Sequence, residues 1–156
     1  MIKAAFFDID GTLLSFKTHR IPASAQQVLD SFHEQGIACV IATGRPTYQM
    51  PDWLFELGWD AYITLSGQHC FDAEGVYRSC PIDPDDVAVI VDQVAQGRYD
   101  SLCMQGENSF VNRLSERVVT AGSNAWIVYH EEPFEHALTH RSTSSAPLWT
   151  RPTSIS

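Results

Sequence analysis

Positive charge is scarce in this sequence. Its 156 residues include 10 lysines and arginines against 19 aspartates and glutamates, which gives a formal net charge of −9. A chain of this charge repels the phosphate backbone of nucleic acids, so its composition argues against a nucleic-acid partner. A local positive pocket for one small phosphate group remains compatible with that balance. Because 44% of the residues are hydrophobic and 19% are charged, we expect a buried core rather than a disordered chain.

Long apolar runs and paired cysteines are also missing. The apolar N-terminal run stops at Asp8, too early for a signal peptide, and no other run approaches membrane-spanning length. The four cysteines are widely spaced and show no paired-ligand pattern: Cys39, Cys70, Cys80 and Cys103. We therefore predict reduced, mostly buried thiols in a cytoplasmic protein without membrane partners.

The hydrophobic pattern of the first half predicts alternating strands and helices. Apolar runs near residues 2–7, 37–42 and 61–65 are typical of buried strands. The helix expected between the first two runs spans about Ala23 to Gln35. Ser24 with Gln27 suggests a capping box at its start, and Gly36 supplies its stop. Strand–helix–strand–helix–strand order predicts a parallel sheet with right-handed crossovers, hence an α/β fold with a partial Rossmann-like sheet.

The pattern changes after residue 79. Asp83 and Pro84 are typical of a helix start, and hairpins and a strand at Ala125–Tyr129 are then expected around helices. We therefore predict a first domain over residues 1–79 and a second, α+β module over residues 80–138. Residues 139–156 hold nine serines and threonines and no hydrophobic periodicity, which predicts a disordered tail.

Acidic side chains follow the first predicted strand. Asp8 and Asp10 are separated by one residue, so strand alternation points both to the same side. Two carboxylates so near each other favour one of two arrangements. Either they bind a cation, or one is ionised while the other carries a proton. Gly11 permits a sharp turn and a close approach to a ligand. Thr12 offers a hydroxyl or a backbone N–H.

The second strand ends in groups suited to phosphate. Thr43 and Gly44 place a hydroxyl and a turn beside the carboxylates, because the carboxyl ends of parallel strands meet at one edge of the sheet. Arg45 suits either a phosphate or a carboxylate.

These two segments carry a resemblance to a known family. The segments Phe7–Leu14 and Ile41–Pro46 resemble the first and second motifs of the haloacid dehalogenase (HAD) superfamily, and their spacing is similar to that of its Cof-like, type IIB sugar-phosphatase branch. That branch carries an α+β cap after the third strand, where an Asn-Gly pair is usual. This sequence departs from that pattern with Ser66-Gly67. The resemblance thus implies the N-terminal part of a HAD core followed by part of a cap.

The resemblance implies a chemistry for each motif. Asp8 would attack the phosphoryl group to form an aspartyl-phosphate, and Asp10 would act as general acid and base. Mg²⁺ would bridge Asp8, the backbone carbonyl of Asp10 and the phosphate, with Gly11, Thr12, Thr43, Gly44 and Arg45 around the phosphate. The substrate would be a small phosphorylated metabolite of the sugar-phosphate type.

Two further motifs of the family are not found in this sequence. They supply a lysine and a pair of acids after the cap, whereas no lysine follows Lys17 and no aspartate follows Asp100. We therefore expect the chain to be C-terminally truncated and nearly inactive by itself, with an exposed sheet edge open to self-association. The alternative is a non-catalytic remnant of the family that binds phosphate or another protein.

Overall fold

The computed structural model describes residues 1–15, 17–18, 20–105, 108–125 and 129–139. Within it, the chain forms two compact units: the first is Met1–Pro81, and the second begins at Ile82. No helix in these described ranges is long and apolar enough to cross a membrane.

The first unit begins with three parallel strands connected by helices. Its elements are, in chain order, β1 (Ala4–Phe7), α1 (Ala23–Glu34), β2 (Ala38–Ala42), a 3₁₀ turn (Thr47–Gln49), α2 (Asp52–Phe55) and β3 (Ala61–Thr64). Strand β2 pairs with both β1 and β3 in parallel register. Most residues of these strands are partly or fully buried, as is usual in parallel sheets, although Phe6 of β1 is 63% exposed. This arrangement confirms the predicted α/β class.

A hairpin extends this sheet beyond β3. Strands β4 (His69–Asp72) and β5 (Val76–Ser79) continue the order β1-β2-β3-β4-β5, and both pairings are antiparallel. The turn between them forms around Asp72, whose Oδ1 accepts hydrogen bonds from Glu74 N at 2.8 Å and Gly75 N at 3.2 Å. Such an Asx turn is what an aspartate followed by glycine favours.

The core of the first unit lies under the loop that carries the acidic residues. Ile9, Leu29, Ile41 and Leu54 are all fully buried and belong to one apolar cluster. Ile9 lies between Asp8 and Asp10 in sequence, so its burial anchors both of them. Burial of each of these side chains stabilises the fold by about 1.5–3 kcal/mol, so the contacts fix the loop to the sheet.

The second unit is a smaller α+β module. It contains α3 (Pro84–Ala95), β6 (Leu102–Gln105), β7 (Asn108–Val111), α4 (Glu116–Ala125), β8 (His130–Glu131) and α5 (His136–Thr139). Asp83 caps α3 by accepting from Asp85 N at 2.9 Å, as predicted. The fully buried Phe110 packs in a cluster with Val91, Val94 and Phe134.

Three local predictions have different outcomes. The capping box is wrong, because α1 begins at Ala23 behind Pro22 and places Ser24 inside the first turn, where no side-chain cap forms. The strand predicted over Ala125–Tyr129 is wrong at its start, since Ala125 ends α4 and the next strand is β8. Residues 126–128, and the predicted tail beyond Thr139, lie outside the described residues.

Candidate active site

The carboxyl ends of β1 and β2 bring the two motifs to one edge of the sheet. Phe7 is paired with Ile41, so Asp8 and Thr43 leave neighbouring strands at nearly the same level. Asp8 is exposed at this edge, whereas Thr43 is only 5% exposed. The sequence-based expectation that these motifs converge is therefore met by the strand register.

The segment after β1 folds back on itself in a tight turn. Leu13 N donates to Asp8 O at 3.2 Å, and Leu14 N donates to Ile9 O at 2.8 Å. Gly11 N in turn donates to Leu14 O at 2.9 Å, with Gly11 at a φ of 82°. That left-handed conformation favours glycine, because a Cβ there would crowd the following carbonyl. Thr12 lies exposed at the tip of this turn.

Arg45 holds the carboxylate of Asp10 with two parallel hydrogen bonds. Its Nε donates to Asp10 Oδ2 at 2.8 Å and its Nη2 donates to Asp10 Oδ1 at 2.6 Å. A third bond runs from Nη1 to the carbonyl of Gln49 at 2.9 Å. Arg45 is 8% exposed, so this fork is mostly shielded from water. Of the two partners expected for Arg45, the structure shows the carboxylate, and a phosphate contact stays a prediction.

The turn after β2 is fixed by its own hydrogen bonds. Arg45 N donates to Thr43 Oγ1 at 3.1 Å, and Thr43 N donates to Ile63 O at 2.9 Å. Because the Thr43 hydroxyl oxygen acts as an acceptor here, its own hydrogen is available to donate to a phosphate oxygen. Gly44 follows, and a Cβ at that position would lie 3.5 Å from Ser66 Oγ.

A third segment belongs to this edge and was not identified as part of the site from sequence. Leu65 N donates to Arg45 O at 3.2 Å and Ser66 N donates to Thr43 O at 3.1 Å, so the turn after β3 is tied to the turn after β2. Leu65 and Ser66 both have positive φ, at 49° and 55°. Such residues cost about 1–3 kcal/mol each and cluster at functional sites. The only sequence signal was the departure from the family's Asn-Gly pair.

Asparagine at position 66 should relieve part of that strain. It adopts the left-handed region more readily than serine, and Ser66 is exposed, so the larger side chain has room. We expect Ser66→Asn to raise the free energy of unfolding by about 0.5 kcal/mol and Ser66→Val to lower it by more than about 1 kcal/mol, measured by urea denaturation. A less stable asparagine variant would show that the serine hydroxyl matters more than the backbone.

The edge offers oxygen ligands that suit a hard cation. The Asp8 carboxylate is exposed, while both oxygens of the Asp10 carboxylate are bonded to Arg45. Mg²⁺ prefers a few carboxylate and carbonyl oxygens with water in its remaining positions. The donor set therefore fits Mg²⁺ held by the Asp8 side chain and the backbone carbonyl of Asp10.

Comparison with known proteins identifies the family. Residues 5–145 match the family of haloacid dehalogenase-like hydrolases, so the chain belongs to that family. It is similar to the HMP-PP phosphatase of Enterobacter sp. (strain 638), with 37% identity over 87 residues that cover 54% of this chain and 32% of that protein.

Solved structures give the same result. The HAD subclass IIB sugar phosphatase BT4131 superposes with a TM-score of 0.76 and 33% identity over 88% of this chain and 55% of its own. The phosphatase BT1666 from Bacteroides thetaiotaomicron superposes with a TM-score of 0.77 and 30% identity over 90% of this chain and 53% of its own. The chain thus spans about half the length of these structures and less of the curated relatives. The predicted resemblance to the type IIB branch is confirmed.

Proposed function

We propose that this protein is a Mg²⁺-dependent phosphatase of small phosphorylated metabolites that acts through an aspartyl-phosphate on Asp8. The observation that carries the proposal is the arrangement at the sheet edge. Asp8 is exposed, and one residue separates it from Asp10, whose carboxylate is fixed by Arg45. The hydroxyl of Thr43 lies at the end of the neighbouring strand. Phosphoryl transfer requires a nucleophile, an oriented acid and a hydrogen-bond donor to the phosphate.

The first step uses Asp8 as the nucleophile. One of its carboxylate oxygens attacks phosphorus, and the bond from phosphorus to the substrate oxygen breaks. Asp10, in its protonated form, gives its proton to that leaving oxygen. Each Asp10 oxygen has two acceptor positions, and the fork from Arg45 uses one on each, so a position for the proton remains. The dephosphorylated alcohol then departs.

The second step regenerates the acid pair. Water attacks phosphorus while the Asp10 carboxylate takes its proton, and the bond from phosphorus to Asp8 breaks to release inorganic phosphate. Thr43 would donate its hydroxyl to a phosphate oxygen in both steps, and Thr12 and Gly44 would offer backbone groups beside the phosphate. Gly11, whose N–H donates to Leu14 O, would permit the turn that brings them close. Bound Mg²⁺ would supply charge neutralisation where the carboxylates and the phosphate crowd together.

The substrate class rests on the relatives. A sugar phosphatase and an HMP-PP phosphatase are among them, and both names refer to small phosphorylated compounds. We infer a substrate of the same class here, chosen by a cap of which the second unit would be part. The predicted cytoplasmic location belongs to the same proposal, as does self-association through the exposed edge of the first sheet, where β1 lies with Phe6 63% exposed.

Covalent labelling tests the proposal without requiring turnover. The 156-residue chain is incubated with acetyl phosphate and Mg²⁺ or with EDTA, reduced with borohydride and digested for mass spectrometry. We expect a Mg²⁺-dependent phosphoryl group on Asp8, which borohydride converts to homoserine. A product on another residue, or none at all while Mg²⁺ and beryllium fluoride still bind, would favour the non-catalytic alternative. The assay detects single events, so the lack of a lysine after Lys17 slows labelling without hiding it.

A further inference from the structure

Three side chains meet at the other end of strand β2, away from the phosphatase site. His33 lies in the last turn of α1, Cys39 is the second residue of β2 and Asp60 directly precedes β3. Their imidazole nitrogen, thiol sulfur and carboxylate oxygen all lie within 4.8 Å of one another. The sequence showed no metal-ligand spacing because these residues come from three separate elements.

Hydrogen bonds hold Asp60 in place within this cluster. Cys39 N donates to Asp60 Oδ2 at 2.7 Å, and Asp60 N donates to Cys39 O at 2.9 Å. His33 Nε2 lies 3.4 Å from the same Oδ2 atom, which is long for a hydrogen bond. The carboxylate is therefore fixed by the backbone, while the imidazole is close but not tightly bonded to it.

The cluster has one closed side and one open side. Cys39 is fully buried, whereas the side chains of His33 and Asp60 are 35% and 49% exposed. Gly58 has a φ of 82°, and its missing Cβ would lie 3.9 Å from Cε1 of His33, so the chain passes close to the imidazole without covering it. An ion that entered from solvent would thus meet the imidazole and the carboxylate first. It would reach the buried Cys39 Sγ by replacing the weak contact of that thiol with Ile37 O at 3.8 Å.

The ligand types select the class of ion. A thiol, an imidazole and a carboxylate together suit a borderline divalent cation such as Zn²⁺, whereas Mg²⁺ and Ca²⁺ prefer oxygen ligands alone. We propose that His33, Cys39 and Asp60 form a Zn²⁺-binding site, with water from the open side as the fourth ligand. Such an ion would link the end of α1 to β2 and β3.

Binding would exchange a proton for the metal. Burial first, and then the charge of Asp60, raise the pKa of the Cys39 thiol. Because Zn²⁺ binds cysteine as the thiolate, binding at this cluster would release the proton of the thiol. An ion bound in this way stabilises the first unit, since the unfolded chain lacks the preformed cluster.

Cobalt provides a spectroscopic probe for the thiolate ligand. Co²⁺ is titrated into the Cys80→Ser protein, because Cys80 is the exposed cysteine and would bind metal on its own. We expect saturation at one equivalent with thiolate-to-cobalt absorption, displacement by Zn²⁺, and a Zn²⁺-dependent rise in melting temperature. His33→Gln and Asp60→Asn, each made in the same background, should weaken binding by more than about tenfold.

The variants distinguish a metal site from a simple ion pair. His33→Gln and Asp60→Asn alter half-exposed side chains, and the amide oxygen introduced by Asp60→Asn can still accept from the Cys39 amide, so both should fold. A thiolate signal that persists unchanged in both variants, or that never develops, would overturn the proposal and leave a His33–Asp60 ion pair. Asp8→Asn should leave the signal intact, which separates this site from the proposed phosphatase site.

Discussion

Asp8→Asn should eliminate covalent labelling by acetyl phosphate, lowering it by at least about 1,000-fold. An amide oxygen is a poor nucleophile toward phosphorus, and the change also removes the one exposed carboxylate proposed to bind Mg²⁺. Stability should change by less than about 0.5 kcal/mol, because the substitution lies on an exposed side chain. Labelling is followed by intact mass, and folding by circular dichroism and urea denaturation.

Asp30→Asn is the matched control for this variant. Asp30 is also exposed and lies on α1, where its side chain accepts a hydrogen bond from Gln26 Nε2 at 3.0 Å. It carries the same change of charge without any place in the proposed chemistry, so its labelling should equal that of the unmodified chain. Persistent labelling of Asp8→Asn would remove Asp8 as the nucleophile, and equal losses in both variants would point to net charge instead.

Arg45→Ala should lower the free energy of unfolding by about 2 kcal/mol and slow labelling of Asp8. Breaking a buried pair costs about 3–5 kcal/mol, and the cost is smaller here because Asp10 retains 31% side-chain exposure and can regain water. The loss of the fork also frees the Asp10 carboxylate to rotate. Arg45→Lys keeps the charge without the paired geometry, so we expect an intermediate result by urea denaturation.

The second unit contains a closely matched control for this pair. Arg113 also bonds an aspartate through Nε and Nη2, at 3.0 Å and 2.6 Å, although both bonds go to Asp100 Oδ1. The Arg113 side chain is 67% exposed, whereas that of Asp100 is 19% exposed. Arg113→Ala should therefore have a much smaller effect on unfolding and none on labelling. Equal losses in the two alanine variants would contradict a special role for the burial of Arg45.

Several features of both units were predictable because their signals are local. The strand before Asp8 follows from a short apolar run, and the stop of α1 follows from Gly36, whose φ is 69°. The cap of α3 by Asp83 follows from an acidic residue placed directly before a proline. Each of these features is decided by residues within a few positions of one another.

The remaining features depend on residues far apart in sequence. The fork from Arg45 to Asp10 exists because β1 and β2 are adjacent, and the sequence left both a phosphate and a carboxylate as its partner. The turn after β3 requires a positive φ at Leu65. Leucine has no preference for that conformation, so the sequence did not predict it. The start of α1 at Ala23 was predicted, but the capping box does not form, because Pro22 occupies the cap position and Ser24 lies inside the first turn.

The order of strands in the first sheet also has a consequence for the rate at which the site forms. Thr64 pairs with His69 across a short turn, whereas Ala4 pairs with Ala38 across a long crossover. Closing the longer loop costs more chain entropy and contributes more to contact order, so β1 should join the sheet late in folding. The strand that carries Asp8 would then be among the last to dock, and a partly folded chain would hold the turns after β2 and β3 without a nucleophile beside them.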